Sequence, residues 1–583
     1  MDTLPSDPEI LYQPDESPPL FLNLGLALQM VMLSIGGIVL TPAIIIRAAD
    51  ASTEYLVWAV FAAVVVSGIS TIIQALGKFR IGAGHILLMG TSGAFIGVCI
   101  GAIVEGGPAV MATLVIISSL IQIIFARSLS KFRHILTPTV TGTVIMLIAV
   151  TVMPILFDMI LEIPEEFPLS SAAVSATSTL VITLILTIKA KNILRLWAPM
   201  IGVISGTIIS AFYGLYDTQA IIDADWIGLP TGGFPGIDLS FSPVFWAFLP
   251  AFVFVTIIGA IETVGDSIAI QKVSWRNRRA PDFRTVQGAL SADGIGNFLS
   301  GMFGTIPNTT YSTTVSIVEL TGVASKSCGI AIGGIIIFLS INPKFLAVIL
   351  AIPSPVVGAF LIVLVAMLFI LGMKIVLQDG LNYKTGLICG ISFWVGVGIQ
   401  NGDIFPGFFN EFAAGAFKNG MVSGGLIAIA LTLISDFSFR GRQRIQTKLD
   451  ISVFDELRGF IDNFSKKFSW SSDFTLRVEA AVEEALLILC DESKEDNKEG
   501  ALQLSIKNEP SQATLEFYAG DSKENLEDRI ALLGTDISTP DIERDFSVRM
   551  LKHLTTSVRH ERYHGTEILI LKVQKSSASD VRI

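Results

Sequence analysis

The feature that most constrains this chain is a succession of apolar windows running from Phe21 to Phe437. A run of about 20 apolar residues makes a helix long enough to cross the hydrocarbon core of a bilayer. Windows of that kind predict fourteen spans, near residues 22–46, 55–76, 86–104, 108–126, 134–157, 172–190, 197–216, 244–270, 287–303, 309–321, 326–342, 354–376, 383–400 and 419–436. Only 16% of the 583 residues are charged and the mean hydropathy is +0.65, against about 25% charged in an ordinary soluble protein. A secreted or cytosolic protein is excluded. The expected fold class is an all-α polytopic membrane protein, with a small α+β domain appended.

The loop charges orient these spans. If the N-terminus is cytoplasmic, the inward loops hold sixteen basic residues from Lys78 to Lys384, while the opposite loops hold only Arg47, Lys344 and Lys418. That asymmetry obeys the positive-inside rule, so both termini are expected in the cytoplasm and the chain in the cell membrane. The Arg276–Arg284 cluster reads as an orientation signal. The leading stretch to Pro19 lacks a basic n-region and is not a cleaved signal peptide.

Several function classes fall away. A net charge of −11 offers no basic excess to neutralise phosphates, so no nucleic-acid partner is expected. Cys99, Cys328, Cys389 and Cys490 lie far apart, and the five histidines show no ligand spacing. No metal and no cofactor are expected. No phosphate loop or nucleophile arrangement is present either, so the chain does not read as an enzyme.

Beyond Phe437 the composition turns soluble. A basic juxtamembrane segment comes first, within a linker at 438–452. Val453, Phe454, Leu457, Phe460, Ile461 and Phe464 then recur at helical spacing, as do Val478, Val482, Ala485 and Leu489. Leu502, Leu504 and Ile506 alternate as in a strand, as do Leu515 and Phe517. A helix near 543–556 and a strand over Thr566–Val573 complete the unit. The expected division is therefore a tail at 1–20, a transmembrane domain at 21–437, the linker, an α+β domain at 453–575 and a tail at 576–583.

Two spans are interrupted. Gly90–Phe95 breaks the third and Gly304–Tyr311 the tenth, both rich in Gly, Ser and Thr, and both third of seven in their half. Paired interruptions at corresponding places point to an inverted-repeat transporter. Non-helical backbone at membrane depth is tolerable only where it lines a cavity or meets a counterpart. Intramembrane acids mark the same region. Glu262 and Asp266 lie four apart on one helical face, and Asp293 sits among small residues. A charge at that depth costs at least about 2.5–3.5 kcal/mol, so such groups are paired, protonated or functional. Two carboxylates one turn apart also repel, which makes a proton-exchanging site.

These residues carry a family likeness. Gln29 with Gly36–Pro42, then Gly90–Ile96, then Glu262-Thr263-Val264-Gly265-Asp266, then Gly304–Tyr311 resemble the nucleobase–cation symporter family, also called nucleobase–ascorbate transporters. The resemblance covers about 21–437. It implies fourteen helices in two inverted repeats of seven, short antiparallel strands in the third and tenth segments, a homodimer, and import of uracil, xanthine or uric acid with protons or Na⁺. It implies that Glu262 binds the ring N–H groups of the base. Gly93, Ala94, Thr313, Thr314 and Gln29 complete the substrate site, and Asp266 and Asp293 couple the proton. Four positions depart from the pattern: Met30 replaces a histidine, Gly93 an aromatic residue, Thr313 a Glu or Gln, and Thr314 the Asn that follows it in relatives.

The C-terminal region faintly resembles the histidine-kinase-like ATPase fold of anti-sigma-factor kinases, through Glu483-Glu484-Ala485, Asp545–Leu551 and Gly565-Thr566-Glu567. That family's magnesium-holding Asn falls on Ile488, and its Asp-x-Gly element is not recognisable in Ala519–Ser522. A domain without nucleotide chemistry is the expectation, serving as a docking surface for a cytoplasmic regulatory protein, as a dimerisation surface, or as a brake on the gate through the basic segment at 439–444.

The function expected is a secondary active symporter importing a nucleobase with protons, a purine such as xanthine or urate before uracil. Two alternatives stand beside it. One is an anion carrier of the sulfate-permease type, disfavoured by three buried acids and no base near the tenth segment. The other is a transporter-derived sensor signalling through its C-terminal domain.

Overall fold

The computed structural model describes residues 10–132, 137–164, 166–277, 279–377, 380, 382–402, 404, 420–436, 441–494, 501–509, 511–519, 525–532 and 542–575. Two compact units emerge: Met1–Arg276 with Thr285–Leu433, and Asn277–Arg284 with Ile434–Ile583.

The first unit is helical. It contains α1 (Leu20–Ala48), α2 (Thr53–Leu76), α3 (Ile96–Arg127), α4 (Pro138–Leu161), α5 (Leu169–Lys189), α6 (Ala198–Phe212), α7 (Pro243–Lys272), α8 (Phe283–Met302), α9 (Thr313–Thr321), α10 (Lys326–Ser340), α11 (Ser354–Leu377), α12 (Tyr383–Gln400) and α13 (Gly420–Asp436). Among the described residues, seven helices are long and apolar enough to cross a membrane, or eight if α10 and the short helix after it, bent by 87°, form one span. The chain is a multi-pass membrane protein. The predicted third and fourth spans fall on α3, which is two helices joined across a kink. It breaks at Gly107, whose φ of 81° only glycine adopts readily and which precedes Pro108.

Local chemistry sets the helix ends. Ser52 accepts from the Tyr55 N–H at the start of α2, which ends on left-handed Gly77. Thr137 and Ser242 cap α4 and α7, each with proline in the first turn. Small residues let backbones approach. A Cβ on Gly68 of α2 would lie 2.7 Å from the Gly333 carbonyl oxygen of α10, and one on Gly333 would lie 2.5 Å from that of Gly68.

Between the helices lies a two-stranded antiparallel pair, β1 (Met89–Thr91) and β2 (Asn308–Thr310), in the register Met89–Thr310, Gly90–Thr309 and Thr91–Asn308. The Ser92 N–H extends it to the Pro307 carbonyl at 2.8 Å. The two interrupted segments satisfy one another's backbone, as bilayer depth demands.

Residues 10–19, before α1, are attached to the first unit. Leu11 N–H donates to the Gly322 carbonyl at 2.8 Å, and Ala324 N–H returns to Tyr12 at 2.8 Å. Arg276 binds the Ile10 and Leu11 carbonyls and the Glu16 carboxylate, and Lys326 meets Asp15 at 2.6 Å. The Arg276 hydrogen bond is the largest cause holding the Glu16 carboxyl down at about 2, helped by the Gln13 backbone N–H. Arg276, read from the sequence as an orientation signal, holds the segment before α1 in place.

The second unit is α+β. Its sheet is antiparallel, in the order β3 (Arg442–Lys448), β4 (Ala501–Asn508), β5 (Gln512–Ala519), β7 (Thr566–Gln574), β6 (Ser557–Tyr563). Helices α14 (Phe454–Lys467), α15 (Ser472–Lys494), α16 (Leu526–Leu532) and α17 (Ile542–Leu554) accompany it. Leu457, Ile461 and Phe464 of α14, Val478 and Val482 of α15, and Leu504, Phe517 and Leu571 of the sheet share one buried core. The predicted linker requires correction, because seven of its fifteen residues, Arg442–Lys448, form β3. Ile445 packs on that core, and Arg442 donates to Ser505 and Glu516 across the sheet at 2.7 and 2.6 Å. Ile488 is buried in the same core. Gly520, Asp521 and Ser522 lie outside the described residues.

Candidate functional site

The candidate site is built where α7 passes the strand pair. Helical periodicity puts Gly259, Glu262 and Asp266 on one face of α7. Asp266 is 6% exposed, whereas Glu262 is half-buried and Gly265 exposed. Thr310 Oγ1 donates to Asp266 Oδ2 at 2.6 Å, and Ser312 Oγ donates to Oδ1 at 2.6 Å. Both oxygens of this carboxylate are therefore held by hydroxyls from β2 and the turn into α9.

The turn before α3 packs against the same helix. Gly93 is exposed and Ala94 half-buried, while Phe95 is buried with its ring centroid 6.1 Å from that of Phe252 on α7. An added Cβ at Gly97, Gly259 or Gly265 would meet nothing within 4 Å, and one at Gly93 would meet only the tip of Ile96. Glycines with open space beside them thus occur on both α3 and α7.

Tyr311 locks the strands. Its N–H donates to the Leu88 carbonyl at 2.9 Å and its hydroxyl to the Thr91 carbonyl at 3.1 Å. The ring lies across Gly90, where a Cβ would be 2.3 Å from Tyr311 Cζ. That close approach explains the glycine. Thr91 Oγ1 in turn donates to the Gly37 carbonyl of α1 at 3.0 Å.

Asp293 belongs to a separate buried network. Its Oδ2 accepts from Gln122 Nε2 at 2.9 Å and Thr263 Oγ1 at 2.7 Å, and its Oδ1 from Asn297 Nδ2 at 3.3 Å. Asn297 also donates to Gln122 Oε1 at 2.9 Å, and its own oxygen accepts the Asn308 backbone N–H at 2.6 Å. Through Asn297, the acid of α8 is tied to β2.

With this geometry in place, the chain can be set against known proteins. The family model for xanthine/uracil-type permeases, described as the permease family, matches residues 23–404, more than half of the chain. The chain belongs to the nucleobase–ascorbate transporter family. This permease is 30% identical over 430 residues to a Clostridium perfringens protein that carries the name purine permease, covering 73% of this chain and 93% of the relative. The xanthine permease XanP of Escherichia coli K12 is 27% identical over 447 residues, covering 73% and 94%. Among solved structures, the transmembrane domain of a cyanobacterium bicarbonate transporter, BicA, gives a TM-score of 0.43 at 16% identity, over 73% of this chain and 99% of that one. The protein is a permease and not an enzyme.

The permease brings some predicted site residues together and sets others apart. Asp266 is tied to Thr310 and to Ser312, the residue before Thr313, and Gly93 and Ala94 lie in the turn whose Phe95 packs on Phe252 of α7, one face of which carries Glu262. The Thr314 N–H is already engaged by the Tyr311 carbonyl at 3.0 Å, and its hydroxyl accepts from Leu88 N–H at 3.4 Å, which removes it from the expected donors. Gln29 is half-buried on α1. Met30, at the departing position beside it, is a core residue at 1% exposure. Sequence reasoning missed Gln122, Thr263, Asn297, Thr310 and Ser312. The available signal for Gln122 and Asn297 was an amide inside an otherwise apolar span.

Proposed function

We propose that this permease is a secondary active symporter importing a nucleobase with protons, a purine such as xanthine or urate before uracil. The observation that carries the reading is the half-buried Glu262 carboxyl beside glycine-bordered space, one turn from an Asp266 whose oxygens are both held. A purine dione is flat and presents ring N–H donors next to carbonyl acceptors. Glu262 accepts the ring N–H groups, in charge-assisted bonds worth about 1.5–3 kcal/mol each. Backbone amides of Gly93, Ala94 and Thr313 donate to the carbonyls, with the N-terminal ends of α3 and α9 behind them. The relatives named as purine and xanthine permeases support the purine preference.

Asp266 and Asp293 supply the coupling. A proton taken by Asp266 changes what its oxygens can accept from Thr310 and Ser312, and that change is passed to β2. Asp293 reaches the same strand through Asn297. The proposal includes fourteen membrane segments in two inverted repeats, a homodimer in the cell membrane, and both termini in the cytoplasm. The second unit has no role in nucleotide chemistry: an apolar Ile488 stands where a magnesium ligand would be required.

Reconstituted protein tests this directly. Proteoliposomes with an inward proton gradient should accumulate labelled xanthine, and excess uracil should compete less well than urate. Uptake of sulfate or bicarbonate with none of any nucleobase would overturn the proposal, as would binding of xanthine without accumulation.

A further inference from the structure

Residues 10–16 precede the first helix, yet they are bonded to two places that the sequence sets far apart. Gln13-Pro14-Asp15-Glu16 is a β-turn with proline at its second position, closed by the Glu16 N–H on the Gln13 carbonyl at 3.0 Å. The Glu16 carboxylate in turn accepts the Gln13 N–H at 3.0 Å. The turn sends its two neighbouring acids to different bases, Asp15 to Lys326 and Glu16 to Arg276.

The first anchor is the connection between α9 and α10. Helix α9 ends on Gly322, whose φ of 66° is left-handed. The Gly322 carbonyl accepts the N–H groups of both Leu11 and Tyr12, at 2.8 and 3.1 Å. The Ala324 N–H donates to the Tyr12 carbonyl at 2.8 Å and the Lys326 N–H to that of Pro14 at 3.0 Å, so Tyr12 and Val323 pair as in a parallel sheet. The second anchor is Arg276, four residues beyond the end of α7. Its guanidinium donates to the Ile10 and Leu11 carbonyls at 2.9 and 2.7 Å and to the two Glu16 oxygens at 2.7 and 2.6 Å. A planar fork filling four acceptors is a geometry that a lysine cannot reproduce. Bidentate pairing of this kind also sets the contact apart from an ordinary exposed ion pair.

Helices α7 and α9 meet a second time, nearer their middle and their start. Asp266 of α7 accepts from Ser312, the residue before α9, at 2.6 Å. Arg276 lies ten residues beyond Asp266, and Gly322 ten beyond Ser312. The two helices are therefore joined at two levels, by a carboxylate at one and by residues 10–16 at the other. A helix held at one point can pivot about it, whereas a helix held at two moves with its partner. We propose that residues 10–16 are a clasp across the C-terminal ends of α7 and α9, with Arg276 and Lys326 as positioning residues that keep the Asp266–Ser312 contact aligned. The clasp reaches Asp266 only through the helices, so it sets the rate of the step that uses this acid and leaves the substrate contacts of Glu262 as they are. Its effect on rate rests on the transport reading; the clasp itself does not.

Two variants in proteoliposomes test it: the full chain with Asp15→Asn and Glu16→Gln together, and a chain shortened to begin at Ser17. A synthetic peptide of residues 8–18, added to the shortened chain, is the rescue. In the exchange arm, the shortened chain should speed amide exchange at least fivefold over residues 270–275 and 318–326, with α4 and α11 unchanged. The double variant should fall between it and wild type, and the peptide should restore protection. In the uptake arm, the shortened chain should lose at least threefold in maximal rate of xanthine uptake, with the half-saturating concentration within twofold, and the peptide should restore the rate. Unchanged exchange at the two anchors overturns the clasp, as does faster exchange spread evenly over all the helices. A double variant that behaves as wild type strikes Arg276 and Lys326 as positioning residues. A released clasp with an unaltered maximal rate, or a rate that the peptide does not restore, overturns the link to Asp266. If wild-type protein takes up no nucleobase, the transport reading fails, and the exchange arm still decides the clasp.

Discussion

Thr310 donates to Asp266 at 2.6 Å, so an acid on a transmembrane helix is held by the last residue of β2, the partner strand of β1. Any change in that carboxylate is felt by the strand crossing, and any shift of the crossing reorients the carboxylate. Asp266→Asn should therefore flatten the pH dependence of xanthine uptake while leaving binding within a few-fold of wild type. Thr310→Ala removes one hydrogen bond to a charged group, worth about 1.5–3 kcal/mol, and should slow uptake at least tenfold. An unchanged pH profile in Asp266→Asn would return that residue to a purely structural role.

Glu262 offers a sharper test of substrate contact. Glu262→Gln keeps the shape but replaces one acceptor oxygen by a donor and removes the charge. Loss of one charge-assisted bond at about 1.5–3 kcal/mol corresponds to roughly 10- to 150-fold weaker binding. Isothermal titration with xanthine in detergent reads this directly. Wild-type affinity would remove Glu262 from the site.

The buried amides should behave as a unit. Asn297→Ala leaves Gln122 Oε1 and the Asn308 N–H without the partners they have now, at a cost of about 1–3 kcal/mol for each unsatisfied group. The melting temperature of the solubilised protein should fall by several degrees and uptake should drop with it. Gln122→Ala should cost a similar amount, and the double variant less than the sum, because residues in one network couple. Strict additivity would mean that the network does not act together.

Legibility in the sequence followed the physical signal available. Apolar windows and helical spacing are strong, and they located α1, α2, α4, α7, α11 and, in the second unit, α14, α15 and α17, though not the short α16. The matched interruptions at Gly90–Phe95 and Gly304–Tyr311 located the strand pair, because broken backbone at membrane depth must find a counterpart. Strands β3 and β6 left little trace: Arg442–Lys448 and Ser557–Tyr563 are largely polar, and the core-facing Ile445 is isolated among basic residues. The partners of the acids were hidden for a different reason. Gln122, Asn297 and Thr310 are far apart in the chain, and only the fold brings them to Asp293 and Asp266. Thr314 misled because a helix-terminal amide looks free in sequence, whereas the turn at Tyr311 had already engaged it.

The segment before α1 should respond to acid. Glu16 is held at about 2 by Arg276, against an ordinary value of 4.5. Its contribution is then complete above about pH 4.5 and disappears as pH falls through 2. The contact is partly exposed, so the effect on global stability is small, but local attachment should track it. Hydrogen exchange across Ile10–Pro19 should stay slow at pH 5. Glu16→Gln should speed it at pH 7, and Arg276→Ala should do so more strongly, since it also frees the Ile10 and Leu11 carbonyls. Equal protection in all three proteins would show that the backbone pairing with Gly322 and Ala324 suffices.

Gly90 and Tyr311 make a steric prediction that needs no assumption about substrate. A methyl group on Gly90 would occupy the Tyr311 ring, with Cβ 2.3 Å from Cζ. The ring cannot move away cheaply, because its hydroxyl is bonded to the Thr91 carbonyl and its N–H to Leu88. Overpacking of this kind costs about 1–3 kcal/mol or more, and here it falls on the crossing that holds Asp266. Gly90→Ala should therefore reduce both the yield of folded protein and xanthine binding. Tyr311→Ala in the same chain removes the clash and should restore folding while leaving uptake impaired, because the strand lock is still missing. Normal folding and uptake in Gly90→Ala alone would show that the ring has another place to go.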